Sequence, residues 1–166
     1  MTRTLILIRH CKSDWSANQE DHARPLNPRG RRAAPRLGAF LAAEGLAPDE
    51  VLCSDAMRTR ETWAGIASQL PDAPAPTLSR TLYLADPAAM LTAIRAGTGT
   101  IVAVIGHNPG IGELAWSLAE KPPHDERFGM YPTGATTVLR VGAPWSDLTT
   151  GEVTHFTTPR DLPDPG

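Results

Sequence analysis

Cysteines, lysines and long apolar runs are scarce in this sequence. Two cysteines among 166 residues, Cys11 and Cys53, leave no disulfide framework and no Cys-rich zinc site. The longest apolar run is about six residues, far short of the roughly 18 that a membrane span needs. The first apolar run stops at Arg9 and lacks a small-residue cleavage site. It is therefore not read as a signal peptide, and a cytoplasmic location is the expectation. No H-x-H or H-E-x-x-H spacing occurs, so neither a metal nor another cofactor is expected. Lys12 and Lys121 are the only lysines, and the remaining cations are arginines. Arginine suits bidentate anion binding, although a coding bias towards Arg and Ala explains most of them. A net charge of −2 argues against a nucleic-acid binder, which carries a strongly basic face, but leaves room for a small basic pocket. The 14 glycines and 16 prolines stay below the roughly 25–30% that marks a disordered chain. The length predicts one domain, residues 1–166, with enough surface buried to form a core without staples. Nothing in the sequence fixes an oligomeric state.

The apolar runs at 5–8 and 100–105 do not alternate, which is the pattern of strands buried on both faces. Residues 51–53 give a third strand and 78–84 a fourth. Between them lie helical spacings: Leu37, Phe40 and Leu41; Trp63, Ile66 and Leu70; Met90, Leu91 and Ile94 after the cap pair Asp86-Pro87; and Ile111, Leu114, Ala115 and Leu118. Asn27-Pro28 marks a helix start, although Pro35 should kink or restart that helix. Residues 135–141 and 152–157 read as two later strands, and 163–166 as a frayed end. This alternation predicts an α/β fold with three α/β/α layers, a mostly parallel central sheet and an antiparallel edge.

In such sheets ligands bind at the C-terminal ends of the strands. Arg9-His10, Cys53-Ser54 through Arg58, and Gly106-His107 all fall there. Helix N-termini nearby add free N–H groups and partial positive charge. Two arginines and two histidines brought to one edge make a cationic pocket, for which a phosphoryl group is the natural ligand. A neutral imidazole can attack phosphorus, and fixed donors can meet the charge on the transferring oxygens. On these grounds either His10 or His107 serves as the nucleophile. A structural alternative pairs Arg58 with Glu61 or Glu50. His22, His124 and His155 sit in polar surroundings and read as surface residues. A cysteine phosphatase would need an arginine six positions after its cysteine. Ala17 follows Cys11 at that distance and Thr59 follows Cys53, so that chemistry fails on spacing.

Four segments, Leu7 to Trp15, Pro25 to Gly30, Ser54 to Thr62 and Gly106 to Gly110, together with Leu82-Tyr83, resemble the motifs of the histidine phosphatase superfamily in their usual order. The resemblance implies a phosphoglycerate mutase-like fold and a metal-independent phosphatase. It implies that His10 is phosphorylated and that Arg9, Arg58 and His107 bind the phosphoryl group. It also implies secondary phosphate contacts from Ser16 and Asn108. The short length is most similar to the SixA-type phosphohistidine phosphatases, so a phosphorylated protein is the expected partner and substrate. A small phosphorylated metabolite is the alternative, and a non-catalytic phosphate binder a further one. Two departures stand out. Cys11 replaces the glycine of the R-H-G motif, and Asn108 replaces the acidic residue that follows the second histidine in acid-phosphatase members. The proton donor to the leaving group is thus open, with Asp14 as the candidate.

Overall fold

A computed structural model describes all 166 residues. In chain order it contains β1 (Arg3–Arg9), α1 (Pro28–Ala43), β2 (Glu50–Ser54), α2 (Met57–Ala67), β3 (Thr77–Ser79), α3 (Pro87–Arg95), β4 (Ile101–Gly106), α4 (Gly110–Leu118), α5 (Glu126–Met130), β5 (Thr136–Val141) and β6 (Glu152–Thr157). The strands form one sheet in the order β3-β2-β4-β1-β5-β6. Pairing is parallel from β3 to β1, and β5 and β6 add antiparallel partners at one side.

The unalternating run of β1 has a direct cause. Leu5 and Leu7 join one core, while Ile6 and Ile8 join another on the opposite face. The first core lies beneath α3, α4 and α5, with Met90, Ile94, Ile111, Leu114 and Phe128. The second lies beneath α1 and α2, with Leu37, Leu41, Trp63 and Ile66. Helices thus cover both faces of the parallel part of the sheet, as its sequence pattern requires.

Asn27 caps α1, accepting from the Gly30 N–H at 2.8 Å, and Asp86 caps α3, accepting from the Ala89 N–H at 2.9 Å. Pro35 does not divide α1, which runs through it. Its missing N–H removes one helical bond, but Ala34, Leu37 and Leu41 are wholly buried, and that packing outweighs the loss. A Cβ on Gly38 would lie 2.3 Å from the Ile66 carbonyl oxygen, so α1 and α2 touch backbone to backbone there.

The strand expected over 78–84 is shorter. Only Thr77–Ser79 pairs with β2, and Arg80–Leu82 turns into a 3-10 helix. The Ser79 hydroxyl accepts from the Thr81 N–H and offers the backbone this turn in place of the ladder. The turn sinks Leu82 into the core while Leu78 stays exposed at the sheet edge. The short helix α5 carries too few residues to show a period. At the C-terminus, Asp164 pairs with Arg36 of α1 at 2.7 Å.

Candidate active site

Because β1, β4 and β2 are parallel neighbours, their C-terminal ends deliver His10, His107 and Ser54 to one edge. The His10 N–H donates to the Gly106 carbonyl at 3.1 Å, tying the end of β1 to that of β4. The His10 Nδ1 lies 2.7 Å from the Cys11 carbonyl oxygen. A carbonyl only accepts, so Nδ1 carries the proton and Nε2 keeps its lone pair. The ring is 6% exposed. Burial, aided by the cations of Arg58, Arg9 and Arg24, pushes its pKa down to about 3 against the opposing Cys11 hydrogen bond. The imidazole is therefore neutral at physiological pH.

His107 stands with its ring centroid 5.4 Å from that of His10. Its Nε2 lies 2.8 Å from the Ser54 hydroxyl, which can donate or accept, and its buried Nδ1 has no partner within the protein. Burial, then Arg58 and His10, push its pKa down to about 3. Geometry thus separates two histidines that chemistry alone left equivalent: only His10 has its tautomer fixed by a carbonyl.

Arg58, on the first turn of α2, is 2% exposed. It does not pair with Glu61 or Glu50, whose carboxylates accept from the Leu26 N–H and from the Thr98 and Gly99 N–H groups. It donates instead to the Asp21 backbone oxygen at 2.7 Å and to Asp21 Oδ2 at 3.0 Å. Arg9 donates to the Tyr131 carbonyl at 3.1 Å. The Nε groups of Arg9, Arg58 and Arg24 have no protein partner. Together with His107 Nδ1 they form a set of unpaired buried nitrogens around His10. Each unmet arginine N–H costs on the order of 1–3 kcal/mol, a cost that a bound oxyanion would relieve.

Asp21 is the site residue that sequence reasoning missed. Its 3-10 turn, Asp21–Ala23, lies in the β1–α1 loop, where neither periodicity nor spacing marks it. Its carboxylate accepts from Arg58, from Arg24 at 3.0 Å and from the Tyr83 hydroxyl. Burial alone would raise its pKa, but these three donors together hold it well below the usual carboxylate range. Tyr83 in turn stands edge-on to His107 at 5.5 Å and to His22 at 4.8 Å. His22 is therefore not a free surface residue: it is half-buried against Tyr83 and pairs with Asp55 at 2.7 Å. Arg24 is buried, with its guanidinium 3.6 Å over the Trp15 ring.

The structure brings Arg9, His10, Arg58 and His107 together. It places the secondary candidates differently. The Asn108 amide donates to the Tyr131 and Met130 carbonyls at 2.9 and 3.2 Å, bracing the same loop that holds Arg9. Ser16 is exposed and gives its hydroxyl to Asp14 Oδ1 at 2.6 Å. That bond, with the Ser16 N–H, lowers the pKa of Asp14. No group of three or more His, Cys, Asp or Glu side chains is gathered into a metal site, and no helix is long and apolar enough to cross a membrane.

Both cysteines are free and buried, and burial pushes each thiol up to about 12. Cys11 packs with Ile6 and Ile8, and its backbone N–H donates to the Thr62 hydroxyl at 3.0 Å. Its φ is not positive, so no glycine is required there. The Cys11→Gly variant should keep its turnover under reducing conditions but lose about 1–3 kcal/mol in a urea titration, from the vacated volume and the freed backbone. Loss of turnover in the folded variant would assign the thiol a role in the chemistry.

The two histidines also predict a pH dependence of stability. Their folded pKa values lie below the unfolded value of about 6.5. The unfolded chain therefore takes up protons that the folded site refuses. The stability is fully present above pH 6.5 and drains away as pH falls towards 3. From pH 7 to pH 5 the loss is about 2 kcal/mol for each ring. Ring ¹⁵N shifts should show both imidazoles neutral at pH 5. Protonation of either near pH 6.5 would contradict the buried geometry.

Residues 5–80 match the sequence profile of the histidine phosphatase superfamily (branch 1). An uncharacterized protein of Mycobacterium tuberculosis is 40% identical over 151 residues, spanning 87% of this chain and 93% of the relative. Among solved structures, a protein of Nakamurella multipartitia given the name SixA superposes with a TM-score of 0.84 at 30% identity. The match covers 96% of this chain and 97% of that one. A protein of Agrobacterium tumefaciens, described in the same way, gives 0.80 at 25% identity over 94% and 97%. The chain belongs to the histidine phosphatase superfamily and is a phosphatase. Within that superfamily it falls in the SixA-type branch.

Proposed function

We propose that the enzyme hydrolyses phosphohistidine in proteins or peptides through a phosphorylated His10. The neutral Nε2 of His10 attacks phosphorus, the P–N bond to the substrate imidazole breaks, and a phosphohistidine forms on the enzyme. Water then attacks that phosphorus, releasing phosphate and returning His10 to its neutral form. Arg9, Arg58 and His107 meet the charge that builds on the equatorial oxygens.

The observation that carries this substrate is the state of the two candidate carboxylates, Asp21 and Asp14. Asp21 is tied to two guanidiniums and the Tyr83 hydroxyl, and Asp14 to Ser16. Both are held ionised. An alkyl phosphoester leaves as an alkoxide and needs a proton from an acid poised near the working pH. A protonated imidazole leaves without that help. The likeness to proteins described as SixA supports the same reading.

The test compares kcat/KM for a phosphohistidine peptide, phosphoramidate, an aryl phosphate and an alkyl phosphate, each with EDTA present. Efficiency should fall along that series by several orders of magnitude and be insensitive to EDTA. An alkyl phosphate turned over as well as the peptide would establish the alternative, a small-metabolite phosphatase. In that case Asp14→Asn should slow the ester far more than the phosphohistidine. Activity lost with EDTA and restored by a divalent cation would overturn metal-independent catalysis.

A further inference from the structure

Beside the catalytic edge runs an open groove of about 340 Å³, walled by the start of α1, the loop after α5 and the Pro159–Asp161 turn. Five of its lining residues are cationic and none is acidic. Two of the cations are neutralised from outside it, Arg127 by Asp125 and Asp161, and Arg36 by Asp164. Lys12, Arg29 and Arg160 remain exposed, and none of the three forms a side-chain hydrogen bond or ion pair in the protein. In a chain of net charge −2 this is a local excess of positive charge. It adjoins the active site directly. Lys12 lies two residues beyond His10, and Met130 and Pro132 of the groove flank Tyr131, whose carbonyl holds Arg9.

We propose that this groove docks a carboxylate-rich segment of the phosphorylated protein beside its phosphohistidine. The proposal rests on the protein-substrate reading above and names what that protein presents. The molecule builds its site for a single phosphoryl group in another way, with Arg9 and Arg58 pinned to carbonyls and Arg58 buried. The groove cations are instead exposed, unpaired and contributed by three separate segments. That arrangement fits several carboxylates along an extended chain, each held weakly and steered from a distance. Met130, 71% exposed at the rim, offers apolar contact to the same chain.

The test uses the wild type and the double variant Arg29→Gln/Arg160→Gln. Both side chains are exposed and unpaired, so the fold should be unaffected. Phosphohistidine peptides with Asp/Glu flanks and with Ser/Asn flanks are compared, with phosphoramidate as a substrate too small to reach the groove. In wild type the acidic peptide should have a KM about tenfold lower than the neutral one. That preference should vanish in the double variant and at high salt, while kcat/KM for phosphoramidate changes less than about twofold. Equal KM values in wild type, or a preference that survives the double substitution, would overturn the docking site. A labelled, unphosphorylated Glu-rich peptide reads the groove without chemistry, by fluorescence anisotropy. If it binds wild type but not the double variant, and no phosphohistidine peptide is hydrolysed, the substrate reading fails and the groove stands. If it does not bind wild type, the groove proposal fails whatever the enzyme hydrolyses. Equal competition by an RNA of the same charge would make the groove a nonspecific polyanion site and would also overturn the proposal.

Discussion

The His10→Ala variant should be inactive, with turnover down by at least about 10⁴-fold, as when a covalent nucleophile is removed from other enzymes. The reason lies in which nitrogen is free. The Cys11 carbonyl accepts a hydrogen bond from the Nδ1–H, so Nε2 carries the lone pair, and burial keeps the ring neutral. Both thiols are held protonated by burial, so neither cysteine offers a substitute. Rapid quenching of wild type during turnover should trap an acid-labile phosphate on His10, read by peptide mass or ³¹P NMR. The His107→Ala variant should lose less and should still form the adduct, more slowly. If His10→Ala kept most of its activity while His107→Ala did not, the two roles would be exchanged. An acid-stable adduct on Ser or Cys would contradict the mechanism outright.

Arg58→Ala should reduce kcat/KM by about 10²–10³-fold, the usual cost of losing one preorganised donor to a developing oxyanion. This guanidinium is almost wholly buried and is clamped by both the backbone and the side chain of Asp21. Its position is therefore set before substrate arrives. The Arg58→Lys variant keeps the charge but loses the fork, and should recover only part of the activity. A second readout separates this role from damage to the fold. The charge of Arg58 helps depress the pKa of both histidines, so in Arg58→Ala their ring titrations should move upward towards the ordinary value. Unchanged titrations would mean that the arginine does not face the two rings.

Part of this site was legible because it follows strand ends. The buried runs of β1 and β4 stop at charged or polar residues, and parallel pairing puts those stops on one edge. Arg9, His10 and His107 could be read that way, and Arg58 from its place in the first turn of the helix after β2. Asp21 could not. It sits in an irregular loop and reaches Arg58 across 37 positions, a pairing that depends on how the loop folds back over α2. The contacts of Tyr83 with Asp21 and His107 are likewise set by the 3-10 turn at Arg80–Leu82, in a stretch whose pattern reads as strand.

The order of the strands and of the helices other than α5, the double burial of β1 and β4, and the residue types at their ends were determined by the sequence itself. These are local properties, set by hydrophobic period, caps and the reach of a few residues. Which of two histidines has a free nitrogen, which carboxylate holds Arg58 and which cations remain unpaired were decided only by the tertiary structure. Each depends on a partner far along the chain, and on a burial that exists only once both faces of the sheet are covered.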